Sequence, residues 1–436
     1  MADLSINLAG IESPNPFWVA SAPPANTAYQ CHRAFEAGWG GVVWKTIGDP
    51  IVNVSSRYSA HNIGGMRMVG FNNIELISDR SPETNFKEIA ECKKRWPDRA
   101  VIASLMTDTR EHWHDMLKRS RDAGADGVEL NFGCPHGMCE RGMGSAVGQN
   151  PNVIETIVEW VMEAAEIPVI VKLTPNITSV AHAARAAKRG GANAISLINT
   201  INSITQVNLD TMCPEPFVAG KSTHGGYCGP AVKPIALNMV HEVAADPEVG
   251  LPISGIGGIS TWKDAAEFIA LGATGVQVCT AIMHYGFRIV RDMIEGLNDF
   301  LDAKGMASVR ELQGRAVRSV EKWEMLDLKY KRIASIDYDK CIGCNLCYIA
   351  CEDGAHQAIA LVKPNGHGLG PGRLPGKPIP EIKEDHCVGC NLCSIVCPVD
   401  DCIKMVDVKT GKRPMSWRDY QAALAAGKIQ PIPPHP

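Results

Sequence analysis

Two short cysteine runs near the end of the chain constrain its fold more than any other feature. Each run has the form Cys-x₂-Cys-x₂-Cys-x₃-Cys, at 341–351 and 387–397. Three cysteines spaced by two residues let one loop occupy three corners of a cubane cluster, while the fourth reaches the neighbouring cluster. The spacing therefore predicts two [4Fe–4S] clusters, one held by Cys341, Cys344, Cys347 and Cys397 and the other by Cys387, Cys390, Cys393 and Cys351.

Zinc is the alternative metal for these cysteines. Structural zinc sites usually pair two knuckles across a longer loop, so two complete four-cysteine runs fit zinc poorly. The first run is followed by Glu352 where the second has Pro398, a change that removes no ligand. Cys402 lies outside the pattern, and we expect it to be a buried thiol.

Upstream of the cysteine runs, apolar strands alternate with helical patterns from residue 17 to about residue 303. Eight strands are predicted, at 17–22, 41–46, 101–106, 127–132, 168–173, 193–199, 252–258 and 275–280. Such alternation indicates an α/β fold with a parallel sheet. An open doubly wound sheet has the same local pattern, but the strand count and the length favour a (β/α)₈ TIM barrel, which uses about 250 residues.

The predicted domain order places the barrel at 1–304 and a helical connector at 305–335. A ferredoxin-like domain with two [4Fe–4S] clusters follows at 336–408, and then a tail at 409–436 that we expect to be extended or to pack on a partner. Sixteen cysteines in a chain of 436 residues without an export signal favour metal or redox chemistry over disulfides.

Composition and charge exclude several classes of partner. The net charge of −4 gives no strong attraction to nucleic acid or to an anionic membrane. The N-terminal residues lack a basic segment followed by an apolar run, so we expect no signal peptide. No stretch of about 18 uncharged apolar residues occurs, and a cytoplasmic location is therefore expected.

Polar or small residues stand where most of the predicted strands end. In a parallel barrel these carboxyl ends meet at one face, where barrel enzymes have their active sites. The residues are Ser21, Lys45, Thr46, Asn131, Cys134, Lys172, Asn199, Thr200, Gly257, Gly258, Cys279 and Thr280. For any single Ser or Thr among them, a role in capping a strand or starting a turn is the alternative.

The clusters imply a second redox cofactor. Iron–sulfur clusters carry single electrons, whereas an organic substrate that takes up a hydride needs a converter, usually a flavin. The glycines of GIGGIS and GVQVCT stand where barrels commonly bind a phosphate, although tight turns also explain them. Lys45 and Lys172 end apolar strands and are suited to stabilise negative charge on a reduced flavin, unless they only extend to solvent.

The segment ELNFGCPHG at 129–137 is the densest in candidate catalytic groups. A thiol at Cys134, beyond the fourth strand, is suited to donate a proton as a general acid. The alternative is an inert buried cysteine. Cys139 is the rival thiol in the same long, glycine-rich loop, which can close over the site, and His136 is expected to shape the turn.

At these residues the chain resembles the dihydropyrimidine dehydrogenase family, in particular its bacterial NAD-dependent catalytic subunit. The resemblance extends from about residue 4 to residue 405 and rests on the motifs FEAGWGG, NNIELIS, ELNFGCPHGMCERGMG, VKLTPN, INTINS and CPVDDCIKM. Dihydroorotate dehydrogenases are more distant relatives on the same barrel.

The resemblance implies a reaction and a role for each matching residue. The reaction is reduction of the 5,6 double bond of uracil or thymine with electrons from NADH, with Cys134 protonating C5. The implied pyrimidine contacts are Asn73, Asn131, Asn199 and Thr200, with Asn72 as the alternative to Asn73. The implied FMN contacts are Ser21, Lys45, Thr46, Lys172, Gly229, Gly257, Gly258, Cys279 and Thr280. Gly133 departs from the animal enzymes, which have Ser at this position.

The resemblance also implies a partner. The animal enzymes carry FAD, NADPH and two further clusters on one chain, whereas this chain shows no GxGxxG fingerprint after an N-terminal strand. We therefore expect a separate flavoprotein subunit with FAD and an NAD(H) site, in a hetero-oligomer. The alternatives are oxidation of dihydroorotate or a related cyclic amide, and an electron-transfer subunit without catalysis of its own.

Overall fold

Eight parallel strands close into a barrel in the order in which they occur along the chain. They are Phe17–Val19, Gly41–Val43, Ala100–Leu105, Gly127–Asn131, Val169–Lys172, Ala194–Leu197, Ile253–Ile256 and Gly275–Val278. The last strand pairs in parallel with the first. All eight predicted strands are thereby confirmed in the computed structural model, which describes residues 1–49, 57–135, 142–326, 330–363, 378–409 and 415–431.

One main helix follows each barrel strand, as expected for this fold. These helices are Ala28–Ala37, Pro82–Arg95, Arg110–Asp122, Pro151–Met162, Val180–Arg189, Lys233–Ala244, Trp262–Ala270 and Ile289–Ala303, with shorter ones at Ser145–Gly148 and Thr280–Tyr285. Several begin at a residue whose side chain accepts a hydrogen bond from the first turn. Thr261 and Asp264 form a full capping box at the start of Trp262–Ala270.

The core of the barrel unit is apolar on both sides of the sheet. The barrel strands are almost entirely buried, and large side chains such as Trp18 and Phe268 fill the space around them. Gly41 illustrates how tight this packing is, because a Cβ atom there would lie 2.8 Å from the Trp18 ring. The continuous apolar runs seen in the sequence are the direct consequence of this two-sided burial.

An antiparallel sheet is added to the barrel, and the sequence did not predict it. Its strands are Ile201–Ser203, Gly225–Cys228, Met66–Asn73 and Tyr58–Ile63, in that order across the sheet. Short ribbons pair Gln206–Asn208 with Cys213–Glu215 and Phe217–Val218 with Lys221–Ser222. A hairpin of Ile6–Leu8 and Ile11–Ser13 precedes the barrel.

The structure differs from the predicted helical connector at 305–335. The chain divides into two compact units, Met1–Val320 and Glu321–Pro436. Met306, Val309 and Leu312 are buried in the barrel core, so this stretch belongs to the barrel unit. Residues 305–320 contain only short 3₁₀ turns, at Val309–Glu311 and Val317–Ser319. The buried apolar residues hold this stretch on the barrel, and the charged residues lie between them.

The second unit is built from two similar halves. Tyr330–Ile336 pairs with Ile403–Lys409, and Ile359–Val362 pairs with Ile379–Ile382, each time antiparallel. Helix Leu346–Gly354 carries Cys347 and Cys351, and helix Leu392–Ile395 carries Cys393. The strand at 330–336 therefore belongs to this unit and not to a connector. The tail, expected to be extended, contains the helix Trp417–Ala425.

No helix in the described ranges combines the length and the apolar character needed to cross a bilayer.

The packing of the barrel generates a stability prediction. Phe268 is fully buried, and replacing it with Ala should lower the free energy of unfolding by about 3–5 kcal/mol, because the cavity would remain largely unfilled. Phe217, which is 46% exposed, provides the matched control Phe217→Ala. Denaturant unfolding of the full chain measures both variants. Equal losses for the two variants would contradict the assignment of Phe268 to the core.

Candidate functional site

A cleft lies at the carboxyl ends of the barrel strands and encloses about 1120 Å³, counted to its open mouth. All fourteen residues proposed above for the barrel site line this one cleft: Ser21, Lys45, Thr46, Asn73, Asn131, Cys134, Lys172, Asn199, Thr200, Gly229, Gly257, Gly258, Cys279 and Thr280. They come from seven different strand ends and from the added sheet.

A chain of hydrogen bonds orders the polar floor of the cleft. The Asn131 amide donates to Thr46 Oγ1 at 3.0 Å and accepts from the Asn199 amide at 2.9 Å. Asn199 Oδ1 in turn accepts from the Thr200 backbone N–H at 2.8 Å. Because each amide is held at both ends, the rotamers and the donor and acceptor directions of Asn131 and Asn199 are fixed before any ligand binds.

Gly133 allows this chain of hydrogen bonds to form. A Cβ atom at Gly133 would lie 2.5 Å from Asn199 Nδ2, which is closer than nonbonded atoms pack. The Gly133 backbone N–H also donates to Asn131 Oδ1 at 3.2 Å. Asn199 therefore occupies the space that a side chain at position 133, such as the Ser of the animal enzymes, would need.

Lys45 does not point to solvent but forms a buried ion pair. Its ammonium contacts the Glu75 carboxylate, and both side chains are at most 13% exposed. Tyr58 donates its hydroxyl hydrogen to the other Glu75 oxygen at 2.8 Å. Glu75 and Tyr58 both line the cleft, so the charge of Lys45 is balanced at the cleft wall.

Lys172 faces a second carboxylate inside the barrel. Its ammonium lies 3.5 Å from Glu129 Oε1, and Glu129 is fully buried. The other Glu129 oxygen accepts hydrogen bonds from Ser196 Oγ and from Gln277 Nε2, both at 2.8 Å. Three partners therefore compensate for burial of the Glu129 charge.

Gln277, in the wall of the cleft, has a buried acceptor without a hydrogen-bond partner. The residue lines the cleft and is 1% exposed, and its Oε1 atom has no hydrogen-bond partner among the described residues. A buried acceptor of this kind costs free energy unless a ligand donates to it. It fits a bound ring that presents an N–H group, as the flavin ring does.

The glycine side of the cleft has room for a phosphate group. Gly257 and Gly258 have φ of 131° and 75°, and Gly229 has φ of 89°, so side chains are disfavoured at all three. A Cβ atom at Gly258 would lie 2.9 Å from the Gly229 carbonyl oxygen, which shows that the two loops touch. The bare backbone fits the close approach of a phosphate.

Two further thiols line the cleft but are poor proton donors. Burial raises the pKa of Cys228 to about 11 and raises that of Cys279 still further. The Cys228 thiol donates to the Phe71 carbonyl at 3.3 Å and accepts from Thr280 Oγ1 at 3.2 Å. Both thiols stay protonated at neutral pH.

Cys134 lines the cleft and is 8% exposed. Its neighbours in a small apolar cluster are Ile77, Met106 and Met143. Its carbonyl accepts a hydrogen bond from the Ser145 backbone N–H at 2.9 Å, which ties the returning loop to it. The rival Cys139, and His136, lie outside the described residues.

The ambiguity between Asn72 and Asn73 has a geometric answer. The two residues point to opposite faces of the strand Met66–Asn73. Asn73 lines the cleft and donates to the Gly226 carbonyl at 2.8 Å, whereas Asn72 is fully buried and donates to Ser203 Oγ at 2.8 Å. Asn73 is thus the one of the two that a ligand in the cleft can reach.

Sequence reasoning missed four residues that shape the cleft: Tyr58, Phe71, Glu75 and Gln277. Glu75 stands in the NNIELIS motif, two residues after Asn73, and that proximity was the available signal. Gln277 is a polar residue in the middle of an apolar strand. A buried polar residue is the informative exception in such a run.

The eight cysteines of the two runs line two cavities in the second unit. The first cavity, of about 320 Å³, is lined by Cys341, Cys344, Cys347 and Cys397. The second cavity, of about 340 Å³, is lined by Cys351, Cys387, Cys390 and Cys393. In each cavity three cysteines of one run meet the last cysteine of the other, which is the arrangement that the spacing predicts. Cys402 is buried, as expected, and also lines the first cavity.

Within the described part of the chain, no three Cys, His, Asp or Glu side chains converge closely enough to hold a single metal ion. The cysteines instead surround open volumes. Four cysteine sulfurs around one cavity fit a cluster with four separated corners.

The chain matches two family models. Residues 3–301 match the model described as dihydroorotate dehydrogenase, and residues 334–405 match the model described as 4Fe-4S dicluster domain. These matched ranges coincide with the barrel and with the strands and loops around the two cavities.

Individual relatives share most of this length. The chain is 44% identical over 359 residues to the NAD-dependent dihydropyrimidine dehydrogenase subunit PreA of Escherichia coli K12, covering 82% of this chain and 87% of the relative. It is 40% identical over 329 residues to the chloroplastic dihydropyrimidine dehydrogenase (NADP(+)) of Arabidopsis thaliana, covering 72% and 77%. It is 36% identical over 318 residues to the catalytic subunit of dihydroorotate dehydrogenase B (NAD(+)) of Thermococcus kodakarensis, covering 73% and 99%.

The contact between Gly133 and Asn199 generates a prediction for ligand binding. Gly133→Ala should displace Asn199 and weaken binding of uracil, the ligand that the resemblance implies, by about tenfold, which corresponds to about 1.4 kcal/mol. Calorimetric titration of the cofactor-loaded protein measures the change. Gly354→Ala is the matched control, because a Cβ atom there meets only Leu392, at 3.8 Å. Unchanged uracil affinity in Gly133→Ala would contradict this role of Gly133.

Proposed function

The chain belongs to the dihydropyrimidine dehydrogenase family of oxidoreductases, and from this premise we propose that it reduces the 5,6 double bond of uracil or thymine reversibly. The observation that carries the proposal is the fixed chain of amides in the cleft, with Asn73 and Cys134 in the same wall. The electrons come from NADH through a partner subunit and two iron–sulfur clusters.

The amides of the cleft suit a pyrimidine edge. Uracil alternates N–H and C=O groups, and each Asn side chain offers a donor and an acceptor. Asn73, Asn131 and Asn199, together with Thr200, are the proposed contacts. Because Asn131 and Asn199 are already held in place, little side-chain entropy is lost when the substrate binds.

The charges of the cleft favour a neutral substrate over dihydroorotate. Dihydroorotate carries a carboxylate, which needs a cation in a buried site. Both lysines in the described lining, Lys45 and Lys172, already face carboxylates, those of Glu75 and Glu129. A neutral cyclic imide requires no such partner. Oxidation of dihydroorotate remains the second candidate, because the family model for residues 3–301 is described by that activity.

The cleft fits FMN. Gly229, Gly257 and Gly258 would accommodate its phosphate, and the Gln277 acceptor would meet an N–H group of its ring. The other proposed contacts are Ser21, Lys45, Thr46, Lys172, Cys279 and Thr280. Bound FMN supplies hydride transfer to C6 of the pyrimidine and exchange of single electrons with the clusters.

Cys134 is the proposed general acid. When hydride reaches C6, the thiol gives its proton to C5, and in the reverse direction the thiolate takes this proton back. Its apolar neighbours Ile77, Met106 and Met143 limit the access of water to the sulfur. Burial raises the pKa values of Cys228 and Cys279, which disfavours the thiolate form of these two thiols.

The second unit is proposed to hold two [4Fe–4S] clusters, one in each cysteine cavity. A pyridine nucleotide gives two electrons as a hydride, whereas a cluster accepts one electron at a time. A flavin therefore has to stand between NADH and the clusters. We place it, as FAD, on a separate subunit with its own NAD(H) site, in keeping with the word subunit in the name of the E. coli relative.

The role of Cys134 is tested by substitution. Cys134→Ala should lower the rate of dihydrouracil oxidation by roughly 10²-fold or more, the usual loss for a general acid. FMN and iron contents should stay unchanged, because the thiol is neither a flavin contact nor a cluster ligand. The assay uses an artificial electron acceptor and anaerobically purified protein.

Two variants control for this test. Cys213→Ala removes another buried thiol, whose sulfur donates to the Gly220 carbonyl outside the cleft, and should leave the rate unchanged. Cys139→Ala tests the rival thiol and should have a much smaller effect. If Cys139→Ala abolishes turnover while Cys134→Ala is mild, the assignment of Cys134 is wrong.

The partner subunit is tested by separating the two electron routes. The isolated chain should turn over dihydrouracil with a one-electron acceptor, yet reduce uracil with NADH at a negligible rate. Addition of the flavoprotein subunit should restore NADH-dependent turnover. Rapid turnover of the isolated chain with NADH would refute the proposed partner.

A further inference from the structure

The two halves of the second unit follow the same backbone path. The Cys341 backbone N–H donates to the Asp337 carbonyl at 3.1 Å, as that of Cys387 donates to the Lys383 carbonyl at 3.0 Å. The backbone N–H groups of Asp337 and Lys383 donate, in turn, to the carbonyls of Cys402 and Ala358, both at 2.8 Å. Up to the cysteine runs, a residue of the first half therefore corresponds to the residue 46 positions further on in the second half. After the runs, Cys402 corresponds to Ala358, because their carbonyls accept the matching hydrogen bonds.

The second cavity has two backbone donors aimed at its sulfurs. The Ala334 N–H donates to Cys387 Sγ at 3.4 Å, and the Ala358 N–H donates to Cys351 Sγ at 3.3 Å. Both N–H groups are buried, so water cannot replace either sulfur as the hydrogen-bond acceptor. Both sulfurs are proposed cluster ligands.

The first cavity lacks these donors at the equivalent positions. The equivalent of Ala334 is Pro380, which lines the first cavity and has no N–H group. The equivalent of Ala358 is Cys402, whose N–H donates to the Val399 carbonyl at 3.3 Å instead of to a ligand sulfur. The thiol of Cys402 interacts with the Cys397 and Cys341 sulfurs and lies 3.6 Å from the Asp337 carbonyl oxygen, but an S–H group is a weaker donor than a backbone N–H.

From this asymmetry we propose that the two clusters have unequal reduction potentials and that the cluster of the second cavity is reduced first. The inference rests on the proposed function, which places a cluster in each cavity. Hydrogen bonds to cysteine sulfurs stabilise the added negative charge of the reduced cluster and raise its potential. Each cavity has one exposed cysteine, Cys344 or Cys390, and the first cavity also has the partly exposed Cys397 where the second has the buried Cys351.

Exchanging the residues at the two equivalent positions tests the proposal. Ala334→Pro removes one N–H···S bond from the second cavity and should lower the equilibrium constant for reduction of its cluster about threefold to tenfold. A tenfold change lowers the reduction potential by about 59 mV for one electron. Pro380→Ala supplies an N–H at the first cavity and should raise the potential of the other cluster. Proline is compatible with this strand position, because Pro380 itself pairs with Leu361 in the strand Ile379–Ile382.

The measurement is a redox titration of the full chain, purified anaerobically and followed by electron paramagnetic resonance. The wild type should show two midpoint potentials, with Ala334→Pro lowering the higher and Pro380→Ala raising the lower. One shared potential, or a shift of the opposite cluster in either variant, would overturn the inference. If Ala334→Pro does not assemble its clusters, Pro380→Ala alone decides.

Iron and sulfide analysis separates this inference from the proposed function. About eight of each per chain, with dihydrouracil turnover intact but equal potentials, would refute only the inference. Stoichiometric zinc, or far less iron, would refute the cluster assignment itself and the inference with it.

Discussion

Closure of the barrel is the constraint on which the rest of the site depends. Eight parallel strands that pair in chain order must all end at the same face. Side chains separated by more than two hundred residues, such as Ser21 and Thr280, therefore line one cleft. The same closure buries the strand interiors, so charged groups inside the barrel need partners. Lys172 pairs with Glu129, and Glu129 also accepts a hydrogen bond from Gln277.

Paired charges determine what the cleft can accept. Lys45 and Lys172 each face a carboxylate, and the other polar groups of the lining are amides, hydroxyls and the unpartnered Gln277 carbonyl. Away from the glycines proposed for the phosphate, such a lining favours a neutral, planar ring that donates and accepts hydrogen bonds at its edge. Removing either carboxylate would leave an unpaired buried ammonium, which is the costly state for an ion pair of this kind.

The barrel and the cysteine cavities could be predicted from the sequence because their signals are local. Apolar runs identify strands buried on both faces, and the spacing of Cys341 to Cys351 determines which sulfurs can surround a cluster. The added sheet gave no such signal: Tyr58–Ile63 is largely exposed and lacks strict alternation. The connector was mistaken for a separate segment because the three-residue spacing of Met306, Val309 and Leu312 is compatible with a helix and does not reveal that they pack on the barrel.

Pairwise contacts were the part that sequence could not supply. Glu75 was visible beside Asn73, but its contact with Lys45 depends on how the added sheet meets the barrel. The clash of a side chain at Gly133 with Asn199 likewise joins residues from two different strand ends. Motifs named the candidate residues, and only the fold showed which of them contact each other.

The central claim is that one cleft binds FMN beside a neutral pyrimidine. Anaerobic mixing of the oxidised, FMN-loaded chain with dihydrouracil tests it most directly, since no partner or acceptor is needed. Dihydrouracil should bleach the absorbance of the oxidised flavin after mixing, and dihydroorotate at the same concentration should not. Bleaching by dihydroorotate alone would contradict the account and would assign the cleft to the charged substrate.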